Sequence, residues 1–232
     1  MNTIYPLMPQ PDVKVKDGIA HSRVVNAMVA DDTPVRAGLN HLFDQMAEAD
    51  ANPSVRGHYI YVDTGGGLLT AGQEAYTSVK SLTKPVVVHT PMAASAGYML
   101  AAAADYIMLS DPMSQVGSVG VMRSYPSWVV ELYTKIFTDL YPESSNRKNE
   151  SFRAIVEGDT ANFLPALDEL KELDAQFMAL VKRERKARTN SIVTKDALSG
   201  AMFTGRKAIE QGLADSIGTR AQALQVLNKL TT

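Results

Sequence analysis

Residues 85–109 read PVVVHTPMAASAGYMLAAAADYIML, and the order of residue types in this stretch decides the fold class. Pro85 opens Val86, Val87 and Val88, an unbroken apolar run of the kind a strand shows when it is buried on both faces. After Thr90 and Pro91 the side chains become small, and the run from Ser95 to Ala104 predicts a tightly packed helix. Tyr106 to Leu109 returns to strand character.

Upstream the same alternation holds. The sequence HYIYV at residues 58–62 is aromatic and β-branched, bounded by Gly57 and by Gly65, Gly66 and Gly67, and predicts a strand feeding a glycine-rich turn. A helix is expected over 73–82, an amphipathic one over 34–50 (Val35, Leu39, Leu42, Phe43, Met46), and an early strand within 19–29. Strand and helix alternating in this order imply parallel pairing in an α/β layer structure. Downstream, GSVG at 117–120 predicts a turn, 127–140 a helix, and 141–151 a polar loop. Leu164, Leu167, Leu170, Leu173, Phe177, Leu180 and Val181 form one long helical stripe within 162–188, and short helices over 205–211 and 219–230 close the chain. The 232 residues suit a single domain, with 1–18 as an N-terminal extension and 162–232 as a mainly helical C-terminal part.

Composition excludes several functions. A net charge of −2 provides no field to draw nucleic acid or an anionic membrane. The chain has 0 cysteines, hence no disulfides and no thiolate metal site. Prolines, aspartates and lysines break MNTIYPLMPQPDVKVKDG where a signal peptide needs an apolar stretch, and no run approaches the ~20 apolar residues of a membrane span. The expectation is a cytoplasmic protein without a membrane anchor.

The chemistry narrows in the same way. His21, His41, His58 and His89 are scattered with no i, i+4 pair, so no metal and no cofactor are expected. DTGGGLLTAG follows a strand but lacks the Gly-Lys-Ser/Thr of a phosphate loop, which leaves its glycines as a turn or as backbone N–H donors for a developing negative charge. Ser95, between small residues at the start of a helix, reads either as a helix N-cap or as an exposed nucleophile. Every histidine precedes it, with no adjacent acid to orient the ring. A lysine can replace histidine as base when burial or a neighbouring cation lowers its pKa, but composition does not choose among the lysines.

A resemblance chooses. AASAGYMLAAAADYIML followed by GSVGVM is similar to the signature of the signal peptide peptidase A family, and YVDTGGGLLTAGQEAY resembles the strand and Gly-Gly turn of that family and of the related Clp proteases. SGAMFTGRKAIEQGLADSIGT resembles its C-terminal segment, and the three matches, over roughly 55–122 and 198–225, occur in the family's order. The resemblance implies the ClpP/crotonase-like layered α/β fold of repeated β-β-α units. It implies that Ser95 is the nucleophile, that the N–H groups of Gly66, Gly67 and Ala96 hold the oxyanion, and that Ser118 orients the base. The base is then Lys148, in NRKNES, with Lys135 the nearest competitor. The turn departs from the family pattern where Ser-Pro-Gly-Gly becomes Thr64-Gly65-Gly66-Gly67.

The activity implied is serine endopeptidase with a Ser/Lys dyad, acting on protein or peptide substrates as a homo-oligomer. The compact chain is similar in character to the phage head-maturation proteases that process scaffold and capsid proteins, which would place it inside an assembling particle; a soluble bacterial peptidase is the other setting. The alternative function is a catalytically inactive oligomeric assembly protein on the same fold. A Clp-type triad and a crotonase-like acyl-CoA enzyme stand behind both.

Overall fold

The structure, a computed structural model, describes residues 12–30, 38–158, 164–189 and 192–232. These form two compact units, residues 1–120 with 177–232, and residues 121–176.

The first unit is built on a mixed sheet. Strand β1 (Lys14–Lys16) turns antiparallel into β2 (Ile19–Val25) through Asp17-Gly18. Their φ values of 53° and 75° give the two-residue turn whose twist matches the strands it joins. From β2 the neighbours are parallel: β3 (Gly57–Thr64), β4 (Val86–Ala94), β5 (Tyr106–Leu109) and β8 (Ser216–Ile217). Parallel neighbours need crossovers, here α1 (Asn40–Ala51), α2 (Leu69–Ser81) and α3 (Ala96–Ala102).

Strand side chains alternate between faces, and this sorts the helices. Ile19, Tyr59, Val87 and Met108 share one face and bury Ala223 and Leu227 of α8 (Arg220–Leu230). The adjacent Ala20 points the other way, where it packs with Ala49 of α1 and Val55. Helix α2 lies close on α3, and a Cβ on Gly72 would come within 2.8 Å of the Ala96 Cβ.

Strand β4 changes partner part-way. Val87 to Thr90 pair with β5, whereas Met92 to Ala94 pair with β6 (Gln115–Gly117), which is itself antiparallel to β7 (Met202–Thr204). Pro91, which has no N–H to give a ladder, sits at the handover. The strand therefore runs on to Ala94, beyond the expected three valines. Elsewhere the expected helix over 34–50 is described from Asn40 onward, residues 31–37 lying outside the described residues. The expected helix over 127–140 stops at Ile136, as α4 (Ser127–Ile136).

Helix α6 (Leu164–Thr189) realises the long stripe, with Phe177, Leu180 and Val181 buried. Its last turns, which belong to the first unit, are held within that unit by charge. Arg185, fully buried, grips Asp215 through both terminal nitrogens (2.6 and 3.2 Å) and donates from Nε to the Gly212 carbonyl at 2.8 Å. Asp215 also accepts from the Ile107 N–H, and the buried Tyr98 hydroxyl donates to the Leu213 carbonyl. Glu184 accepts from Tyr76 at 2.7 Å and Lys80 at 2.6 Å, both on α2, and from Arg183. Burial alone would raise its carboxyl, but these three donors outweigh burial and hold it at about 2.

The second unit holds α4 and α5 (Glu150–Glu157), joined by aromatic contacts of Tyr133 and Tyr125 with Phe152. The stretch expected as a polar loop thus contains a 3-10 turn, Glu143–Ser145, and the start of α5. Among the described residues no helix is long and apolar enough to cross a membrane.

Candidate active site

Ser95 follows the last residue of β4 and precedes the first of α3. It is half-buried, with φ 52° and ψ −122°, a conformation natural to glycine and strained for serine. A serine on a sharp strand-to-helix turn presents its hydroxyl to a substrate, and the N–H of the next residue points to the same place. The turn is held from outside: the Ser95 N–H donates to the Gly117 carbonyl at 3.0 Å, and the Ser95 carbonyl accepts from Tyr98 and Met99.

Three glycines cross beside it. Gly66, at φ 103°, lies so close that a Cβ there would fall 2.7 Å from the Ser95 Cβ, 2.9 Å from the Ala94 carbonyl oxygen and 3.2 Å from the Ala96 nitrogen. Gly67 is pressed against Met28: the Met28 N–H donates to Gly66 and the Leu68 N–H donates to Met28. This parallel bridge turns the Gly67 N–H away from Met28. Thr64 fixes the start of the turn, accepting from the Gly66 N–H at 3.0 Å and donating to the Asn26 carbonyl. Among the described residues the N–H groups of Gly67 and Ala96 have no hydrogen-bond acceptor, whereas that of Gly66 is engaged by Thr64.

Ser118 follows Gly117 as Ser95 follows Ala94, and Ala94 and Gly117 are register partners, so the strands bring the two serines alongside. Ser118 also has a positive φ, 51°, and its N–H donates to the Ala201 carbonyl at 2.8 Å. Lys148 belongs to the second unit, on an exposed turn where its N–H donates to Ser145; among the described residues its amine has no partner. Lys135, on α4, pairs with Glu131 at 2.7 Å.

The histidines have other employment. His58, buried at the start of β3, pairs with Asp50 at 3.0 Å, so an acid absent from its sequence neighbourhood is supplied by α1. Its register partner Val86 on β4 stands nine residues before Ser95, which at ~3.3 Å per residue puts the pair roughly 30 Å from the serine. His89 is six residues before Ser95 on the same strand, roughly 20 Å away by the same measure. His41 bonds Gln45 on α1, and His21 stands on β2 beside Tyr59. Within this chain the sheet therefore keeps the His58–Asp50 pair and His89 far from Ser95.

Asn26 and Met28 were not singled out from the sequence, and Thr64 was named there only as a departure in the glycine turn. A threonine two residues before a glycine is a known turn former, but the clasp by residues 26–28 comes from a different strand end and leaves no local signal.

Residues 78–232 match the sequence profile of peptidase family S49, and residues 18–116 match that of Clp protease. A protein of Methanocaldococcus jannaschii named as a putative protease is 30% identical over 199 residues, covering 82% of this chain and 60% of that protein. Protease 4 of Salmonella typhi is 28% identical over 82% of this chain and 31% of its own length. Capsid assembly protease C of Escherichia phage lambda is 24% identical over 82% of this chain and 43% of its own length. The chain thus spans less than two thirds of each of these relatives. Among solved structures, an enoyl-CoA hydratase/isomerase family member superposes with a TM-score of 0.56 at 15% identity, covering 97% of this chain and 76% of that one, a likeness of fold alone. The fold is the ClpP/crotonase-like layered α/β architecture, and the chain belongs to peptidase family S49, the signal peptide peptidase A family.

Proposed function

We propose that the chain is a serine endopeptidase in which Ser95 attacks the carbonyl carbon of a peptide bond and Lys148, as the neutral amine, takes the hydroxyl proton. The carbonyl oxygen becomes an oxyanion that accepts from the N–H groups of Gly67 and Ala96, with Gly66 shaping the wall beside it and able to join once its bond to Thr64 loosens. Collapse expels the amine half of the substrate, which takes the proton from Lys148. Water, deprotonated by the same amine, then releases the acyl half from Ser95. Ser118, alongside Ser95, orients the amine. The observation that supports this reading is a strained serine at a strand-to-helix turn, packed against a glycine turn, with the N–H groups of Gly67 and Ala96 unengaged among the described residues.

Lys148 is exposed in the chain by itself, and a base lysine works only where water is excluded from the amine. A homo-oligomer, or the substrate, supplies that cover in this reading, so activity per subunit should rise with protein concentration. The substrates proposed are proteins, namely scaffold and capsid proteins of an assembling phage head or the peptide remnants a soluble signal-peptide-peptidase-like enzyme clears.

A fluorophosphonate probe with mass-spectrometric mapping tests the proposal. Label is expected on Ser95, absent in Ser95→Ala, and reduced at least a hundredfold in rate in Lys148→Ala. Unimpaired labelling in Lys148→Ala would remove that lysine. No labelling of the folded, concentrated protein would leave the alternative, an assembly protein without chemistry.

A further inference from the structure

A concave site lies on the α8 face of the sheet in the first unit. It is an open cavity of about 520 Å³, within the range of sites that hold small molecules, and its lining includes His21, Arg23, Tyr59, Tyr61, His89 and Arg220. The sheet register assembles it: Arg23, Tyr61 and His89 form one row across β2, β3 and β4, and His21 and Tyr59 the row before it.

The polar groups of the floor are spoken for. His89 donates from Nε2 to the Gly218 carbonyl at 3.0 Å, so its Nδ1 accepts from the Tyr59 hydroxyl at 2.8 Å. Burial lowers the imidazoles of His21 and His89, and the charge of Arg220 pushes both the same way, which leaves the rings neutral near pH 7.

The arginines are different. Arg23 lies over the Tyr61 ring at 4.9 Å and Arg220 over the Tyr59 ring at 5.5 Å. Stacking uses the face of a guanidinium and leaves in-plane N–H groups to grip an anion; Arg220 spends one of its five on a long contact from Nη2 to His21 Nδ1 at 3.4 Å. Among the described residues neither makes an ion pair, in contrast to Arg185 and Arg188 of the same unit, each paired with an aspartate. Lys14 adds a third positive charge to the lining against the one acid there, Asp12.

We propose that this pocket binds the carboxylate of a peptide, with Arg23 and Arg220 as the two guanidinium arms and the Tyr59–Tyr61 floor holding the adjoining side chain. Two planar forks above aromatic rings match a planar two-oxygen anion attached to an organic body. A highly charged anion would set its excess charge against Asp12. The site includes His89 of β4, six residues before Ser95, and depends on none of the groups assigned to the chemistry. That the carboxylate belongs to a peptide rests on the peptidase reading; the carboxylate site itself does not.

Calorimetric titration at low salt tests the proposal, on both the unaltered chain and Ser95→Ala, with four probes: N-acetyl-tyrosine, its amide, N-acetyl-aspartic acid amide, and inorganic phosphate. N-acetyl-tyrosine should bind at least tenfold more tightly than its amide, equally in both proteins. The tighter of the two carboxylates identifies a chain end or an acidic side chain as the source. Arg23→Gln and Arg220→Gln, both at exposed positions that should leave folding intact, should each weaken binding about tenfold. Equal binding of acid and amide, absence of binding, tighter binding of phosphate, or an unchanged affinity in both arginine variants would each overturn the assignment. Because Ser95→Ala has no nucleophile, a lost peptidase activity and a lost carboxylate site are read separately.

Discussion

Gly66→Ala probes the proposed oxyanion site with a single methyl group. The added Cβ would stand 2.7 Å from the Ser95 Cβ and 2.9 Å from the Ala94 carbonyl oxygen. Two carbons at rest sit about 3.5–4.0 Å apart, so the glycine turn and the serine must separate by roughly 1 Å. Alanine also resists a φ of 103°, a strain of about 1–3 kcal/mol. The variant should thus fold with stability lowered by that amount, since the turn is clasped by Thr64 and Met28. Its chemistry should suffer more. A misplacement of ~1 Å costs on the order of 10²-fold in rate, and a lost oxyanion donor about 10²–10³-fold. Hydrolysis of a chromogenic peptide amide should therefore fall roughly 10²–10³-fold in kcat/KM, with most of the loss in kcat, while denaturant unfolding shows the folded state well populated. A Gly66→Ala enzyme within twofold of the unaltered rate would refute the idea that this turn and Ser95 form one reacting site.

Two further outcomes follow from strain and charge. Ser95→Gly should be about 1 kcal/mol more stable than Ser95→Ala in urea melts, because glycine relieves the φ of 52° and alanine keeps it; equal stabilities would mean the turn is unstrained. Glu184, held at about 2 by Lys80, Tyr76 and Arg183, contributes stability that is fully present above the ordinary carboxylate value near 4.5 and is lost as pH falls through 2. Thermal melts between pH 5 and 2 should show this acid-dependent loss, and Glu184→Gln should flatten it while lowering Tm at pH 7.

The parts of the fold that were legible in the sequence are those with a local signature. Three valines, a run of alanines and a β-branched pentapeptide announced β4, α3 and β3, because buried parallel strands and close-packed helices restrict composition directly. The two- and three-residue strands β1, β6, β7 and β8 carry too few positions for any periodicity, and their existence is a property of their partners. Helix α5 begins inside the run expected as a polar loop and continues through residues for which no element was expected, a stretch that buries little beyond Ala154. At the candidate site, Ser95 and the glycines were visible as residue types. Their backbone state was not: the strained φ of Ser95, the capture of the Gly66 N–H by Thr64, and the pressing of Gly67 against Met28 depend on chain segments brought in from elsewhere. The Asp50 partner of His58 was invisible for the same reason, since it arrives from a helix packed on the other side of a loop.

The change of partner along β4 sets an order on biosynthesis. The Ser95 N–H leans on Gly117, and Gly117 and Ser118 lean in turn on residues 201–202, about a hundred positions later. While the chain emerges from the ribosome, the serine is translated early but its supporting wall arrives only when Thr204 has cleared the exit tunnel. A nascent chain would carry the Ser95 hydroxyl without its scaffold until residues 201–204 had emerged to brace it.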